Sequence, residues 1–219
     1  MALEAAWPVP FILDPQNLAV DVVVSFCVSV LLAVMINAEA QAFAATFLGD
    51  ARPAPRDRFH FNAFMHLDIL GTVCYFVGGF GWPRTMSIDL SKSKNPRLYT
   101  VIARFAGPAA NLLLASIAGS LVLFMKILSY DPRVFLLVIG VNITTAIYSL
   151  IPLPPLAAGS LVYELLPESQ AGVKSVFLQT GPFVIIALTL WGRLRGQGLF
   201  SPYFDPIIRG IFHYISGGL

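Results

Sequence analysis

Asn37 and Gln41 stand four residues apart in the apolar run V-M-I-N-A-E-A-Q-A-F-A-A-T-F-L-G-D at 34–50, so a helix stacks them on one face. Glu39 lies between them in sequence, about 200° round the helix from Asn37. Polar groups at this spacing in a membrane-length helix either bond a neighbouring helix or line a site. The same spacing serves zinc hydrolysis when both positions are His and a Glu base follows the first. Here those positions read Asn37, Ala38 and Gln41. Glu39 is the costlier residue, because a carboxylate in a membrane span demands a reason. It is read either as protonated or paired with a cation such as Arg104, or as a proton relay or partner contact. His60, His66 and His213 have no His partner at i, i+4, and Cys27 and Cys74 sit in separate apolar runs as free thiols.

The elements that must position these residues follow from composition. The chain has 219 residues, 57% hydrophobic and only 12% charged, with a mean hydropathy of +0.75. Soluble domains carry about 25% charged residues, so the pattern is that of an all-α polytopic membrane protein. A net charge of +2 points to no nucleic-acid surface. Residues 1–18, with Pro8, Pro10 and Pro15, read as an interfacial lead-in anchored by Trp7 and Phe11. The membrane domain runs over 19–195, and 196–219 is an amphipathic, aromatic segment suited to an interface. Ala19–Leu48 gives about 45 Å of helix, longer than a hydrocarbon core of about 30 Å.

Two basic loops, 51–60 and 83–97, flank an apolar stretch at 61–82 broken by Gly71, Gly78, Gly79 and Gly81. The positive-inside rule places both loops in the cytoplasm, which a single span between them cannot satisfy. A re-entrant or β-like hairpin over 61–82 is therefore expected, with a plain span as the alternative. Further helices are read at 98–128 and 134–150, the second ending at I-P-L-P-P-L because Pro152, Pro154 and Pro155 break the backbone ladder. A short helix at 157–166 and a span of marginal length at 176–191 follow. Four, five or six spans fit this pattern.

Five blocks, in order from Val34 to about Lys174, resemble the site-2 protease family of intramembrane zinc metalloproteases. They are A-F-A-A-T-F-L-G-D at 42–50, F-N-A-F-M-H-L-D-I-L-G at 61–71, F-G-W-P-R at 80–84 with N-P-R at 95–97, A-G-P-A-A-N at 106–111 and S-L-I-P-L-P-P-L-A-A-G-S at 149–160. The resemblance implies a three-helix core with the broken helix at Pro152–Pro155. It also implies that Asn37 and Gln41 occupy the zinc-histidine positions, Ala38 that of the catalytic Glu, and Ala157 that of the metal-binding Asp. Ser149 falls on the family's asparagine before the Pro-rich break. His66, Asp68 and Asn111 fall on scaffold positions, and Arg104 adjoins the A-G-P block.

Carboxamides are poor zinc ligands and Ala157 offers no donor. Without metal no water is activated to attack a peptide bond. The expectation is a pseudoprotease that lacks zinc, a multi-pass scaffold or accessory subunit of a larger complex of integral membrane proteins. A regulatory pseudoprotease that holds a transmembrane substrate uncut is the alternative, and a residual hydrolase built on Glu39 the third reading. Asn37, Glu39, Gln41, His66, Asp68, Arg104 and Asn111 are the expected intramembrane polar contacts.

Overall fold

The computed structural model describes residues 19–50, 59–196 and 198–218. The expected lead-in at 1–18 and most of the basic loop at 51–60 lie outside the described residues. Seven α-helices follow one another among those described. They are α1 (Val20–Phe47), α2 (Ile69–Gly78), α3 (Pro96–Ile127), α4 (Arg133–Tyr148), α5 (Ala157–Leu165), α6 (Ala171–Arg195) and α7 (Ser201–Ile215). The protein is an all-α polytopic membrane protein. Three helical stretches are long and apolar enough to cross a bilayer: α1, α3, and α6 with the 3-10 turn before it.

α4 is the hub. Every residue from Leu136 to Tyr148 is buried, as expected of a helix that is apolar all round. α1 and α3 pack on it and on each other, and α7 covers a further side. Phe26, Val30 and Val34 of α1 meet Ala115 and Val122 of α3, Ile139 and Ile143 of α4 and Ile208 of α7 in this core. The outer faces stay apolar, with Val24, Phe43, Leu113, Leu121, Phe183 and Leu194 exposed, which suits contact with lipid. α3 runs unbroken through Pro108. Its preceding residue, Gly107, permits close approach to α1: a Cβ there would stand 2.3 Å from Asn37 Oδ1.

The 61–82 segment turns back. α2 has ten residues, about 15 Å of rise, half a hydrocarbon core. Arg84 N donates to His66 O at 2.7 Å, and Leu67 pairs with Pro83 in one antiparallel bridge. The two ends of the excursion therefore lie side by side, as a re-entrant segment requires. Its outgoing arm is helical and its return from Gly79 is irregular chain rather than a β-strand, since the Leu67–Pro83 bridge is the one ladder contact within the hairpin. Asp68 caps α2 by accepting from Gly71 N at 2.7 Å and from Trp82 Nε1 at 3.0 Å. Gly71 is obligatory here, since a Cβ would stand 2.3 Å from Trp82 O.

The break after α4 is clasped by two glycines. Ala158 N donates to Ser149 O at 3.0 Å, which carries the chain from the end of α4 into α5. Cβ atoms at Gly159 and Gly181 would lie 2.3 Å from Leu153 C and Pro154 O, respectively. α6 is longer than the 176–191 expected. The polar residues at its start lie on an exposed face, where Gln179 Nε2 donates to Ser175 Oγ at 3.1 Å. Arg193 and Arg195 close its last turn, where cations are favoured.

Candidate functional site

Polar groups gather where α1, α3 and α4 meet. Arg104 Nη1 donates to Gln41 Oε1 at 2.9 Å, Gln41 Nε2 to Asn37 Oδ1 at 2.7 Å, and Asn37 Nδ2 to Asn111 Oδ1 at 2.6 Å. Asn111 Nδ2 then divides its two protons between Asn142 Oδ1 at 2.8 Å and Ala33 O at 3.0 Å. Asn142 Nδ2 ends the series on Val138 O at 2.8 Å. Each amide thus donates to the next and accepts from the one before, starting from a guanidinium that also donates to Met86 O at 2.8 Å. Asn111 and Asn142 are fully buried and Asn37 nearly so. Buried polar groups in lipid must be satisfied internally, and this ladder satisfies them across three helices.

The structure brings together Asn37, Gln41, Arg104 and Asn111, four of the polar residues named from the sequence. Asn142 was not singled out there. Its signal is one amide in the otherwise apolar run L-L-V-I-G-V-N-I. Ala38 is buried on α1, and Ala157 is buried at the first turn of α5, a helix that packs on α3.

Glu39 turns to a second cluster. Its Oε1 accepts from His60 N at 2.7 Å and His66 Nε2 at 2.9 Å. The expected pairing with Arg104 does not form: Glu39 is rotated off the face of Gln41, toward the start of the re-entrant hairpin. His66 Nε2 also lies 2.8 Å from His60 O. Two oxygens facing one ring nitrogen assign the proton to Nε2. Glu39 is 5% exposed, and its Oε2 has no partner among the described residues. Asp68 belongs to the hairpin's internal capping.

His66 thus ties the hairpin to α1, and a double-mutant cycle should register it. Glu39→Ala and His66→Ala are expected to couple by about 0.5–3 kcal/mol, the range for residues in direct contact. Each variant should raise protease cutting within 59–84. Additive losses with unchanged cutting would show that the contact carries no docking energy.

A cavity of about 660 Å³ lies apart from both clusters, between α6 and α7, reached by Tyr148, Asp205 and Arg209. Among the described residues, no group of three or more His, Cys, Asp or Glu is placed to hold a metal ion.

The fold and these clusters define an all-helical membrane protein whose central helices are joined through buried amides and whose hairpin docks on α1 through a Glu–His contact. The chain is 30% identical over 194 residues to a Bacillus subtilis (strain 168) protein named "Putative zinc metalloprotease YwhC", covering 77% of this chain and 87% of that relative. The chain belongs to that zinc metalloprotease family. This agrees with the site-2 protease resemblance of the five sequence blocks. No family model matches the chain, and no solved structure does.

Proposed function

We propose that this chain is a non-catalytic member of its family, a scaffold or accessory subunit within a larger assembly of integral membrane proteins. The observation that carries the reading is the state of the metal-ligand positions. Asn37 and Gln41 are carboxamides spent on one another and on Asn111, with the Arg104 guanidinium 2.9 Å from Gln41 Oε1. Zinc takes thiolate, imidazole or carboxylate donors, so the residues present do not fit the ion. The family resemblance puts Ala38 at the position of the catalytic base and Ala157 at that of the third ligand, and neither side chain offers a donor. Glu39 cannot substitute for the base, because its carboxylate is turned to His60 and His66.

A regulatory role in holding a transmembrane segment is the second reading. It draws support from an apolar groove beside α1, formed by Leu31, Leu32 and Met35 with Phe61 and Phe64 of the hairpin. Purification from native membrane in mild detergent, with metal analysis and identification of co-purifying proteins, tests both readings. Stoichiometric partners without zinc are expected. A monodisperse single protein with one zinc per chain would overturn the proposal.

A further inference from the structure

The cavity between α6 and α7 has two kinds of wall. Phe80, Ile151, Ile185 and Leu188 supply apolar surface, while Arg193 and Arg209 bring cations from α6 and α7. Its volume of about 660 Å³ is that of a small-molecule site, which combines apolar walls with a few convergent polar groups. Tyr148 OH donates to Asp205 Oδ1 at 3.3 Å and stands 3.5 Å from Ser201 Oγ. Phe80 and Phe204 hold the Tyr148 ring by stacking and edge contact, with centroids at 4.2 and 5.3 Å. Neither lining arginine joins an ion pair among the described residues. Two cations with no ion pair among the described residues thus stand at a wall that offers one carboxylate, Asp205, which already accepts a hydrogen bond and lies in the field of Arg209.

The position along α6 sets the shape of the occupant. Arg195 covers the exposed Trp191 ring at 4.5 Å, the pairing of aromatic and cation found where a membrane helix reaches the headgroups. From this level the cavity follows α6 inward from Gly196 to Ile185, three turns or about 16 Å. A ligand that fills it has an anionic head at the helix end and an apolar body beside the core. We propose that the cavity binds an anionic glycerophospholipid. Its phosphate sits on Arg193 and Arg209, its headgroup hydroxyls turn to Asp205 and Ser201, and one acyl chain runs along Ile185 and Leu188. A docked transmembrane helix would need a groove as long as a span, which this cavity is not. The assignment is independent of whether the chain cuts peptide bonds.

The test uses the full chain in neutral detergent, titrated separately with phosphatidylglycerol, phosphatidylcholine and free glycerol phosphate. Bound lipid is read by native mass spectrometry and protection by thermal unfolding. Arg193→Gln/Arg209→Gln is expected to weaken phosphatidylglycerol binding about thirtyfold, roughly fivefold for each charge, and to leave phosphatidylcholine unaffected. Both side chains are exposed, so the fold is retained. Arg133→Gln, a cation at the start of α4, should change nothing. Leu188→Trp, which fills the apolar wall and keeps both charges, should also lower phosphatidylglycerol binding. Equal affinity in wild type and the double variant, an equal loss in Arg133→Gln, or full protection by glycerol phosphate alone would each overturn the assignment.

Discussion

A chain carrying Asn37→His, Gln41→His and Ala157→Asp is expected to remain free of zinc while Arg104 stays, and to take up zinc once Arg104→Leu is added. The three replacements supply imidazole and carboxylate donors at the positions where the family resemblance puts ligands. The obstacle they leave is electrostatic. Arg104 donates to Gln41 at 2.9 Å, and a guanidinium does not shed its proton in a protein. A dication about 4 Å from it is repelled by about 8 kcal/mol at an effective dielectric near 20. Structural zinc sites bind with about 10–16 kcal/mol, so that repulsion removes most of the affinity. Leucine at 104 abolishes the charge and keeps an apolar stem against α1. Metal analysis after gel filtration in chelator-free buffer gives the answer. Zinc retained by the three-fold variant with Arg104 intact would show that the guanidinium does not guard this position.

The second large effect is expected at Asn111. Asn111→Ala should lower the free energy of unfolding by about 2–4 kcal/mol, because it strands Asn37 Nδ2 and Asn142 Oδ1, each at a cost of about 1–3 kcal/mol in a buried setting, and removes the bond to Ala33 O, which keeps its partner within α1. Interhelical hydrogen bonds in membranes are often weaker, about 0.6 kcal/mol on average, which places the expectation below the simple sum. Ser120→Ala, exposed on the same helix, should change stability by no more than about 0.5 kcal/mol. Unfolding of the two variants by titration with a harsh detergent separates the cases. A loss at Asn111 no larger than at Ser120 would mean that the three helices are held by packing alone.

The i, i+4 pair on α1 was legible because helical rotation is a local rule, and so was the hairpin, because two basic loops cannot flank one span. The partners were not. Asn37 and Asn111 are 74 residues apart, and nothing local in one chain records which amide meets which. Asn142 was hidden further by its helix, since α4 is apolar on every side and gives no preferred face from which to infer direction. Glu39 was read as protonated or paired with a cation such as Arg104, or as a relay or partner contact, whereas helical rotation aims it at the hairpin, where His60 N and His66 Nε2 meet it. The cavity on α6 and α7 was illegible for another reason. The 176–191 reading ended α6 before Arg193, and the segment at 196–219 was read only as amphipathic and aromatic, with Asp205 not singled out.

The enclosure of α4 has a consequence for how the chain is made. A segment with no outer face has no surface shaped for lipid, and Asn142 at its middle is costly until Asn111 reaches it. Synthesis runs from the N-terminus, so α1 and α3 leave the ribosome before α4 does. The two helices that enclose α4 are thus present to receive it as it emerges, and α7, which covers a further side, follows it.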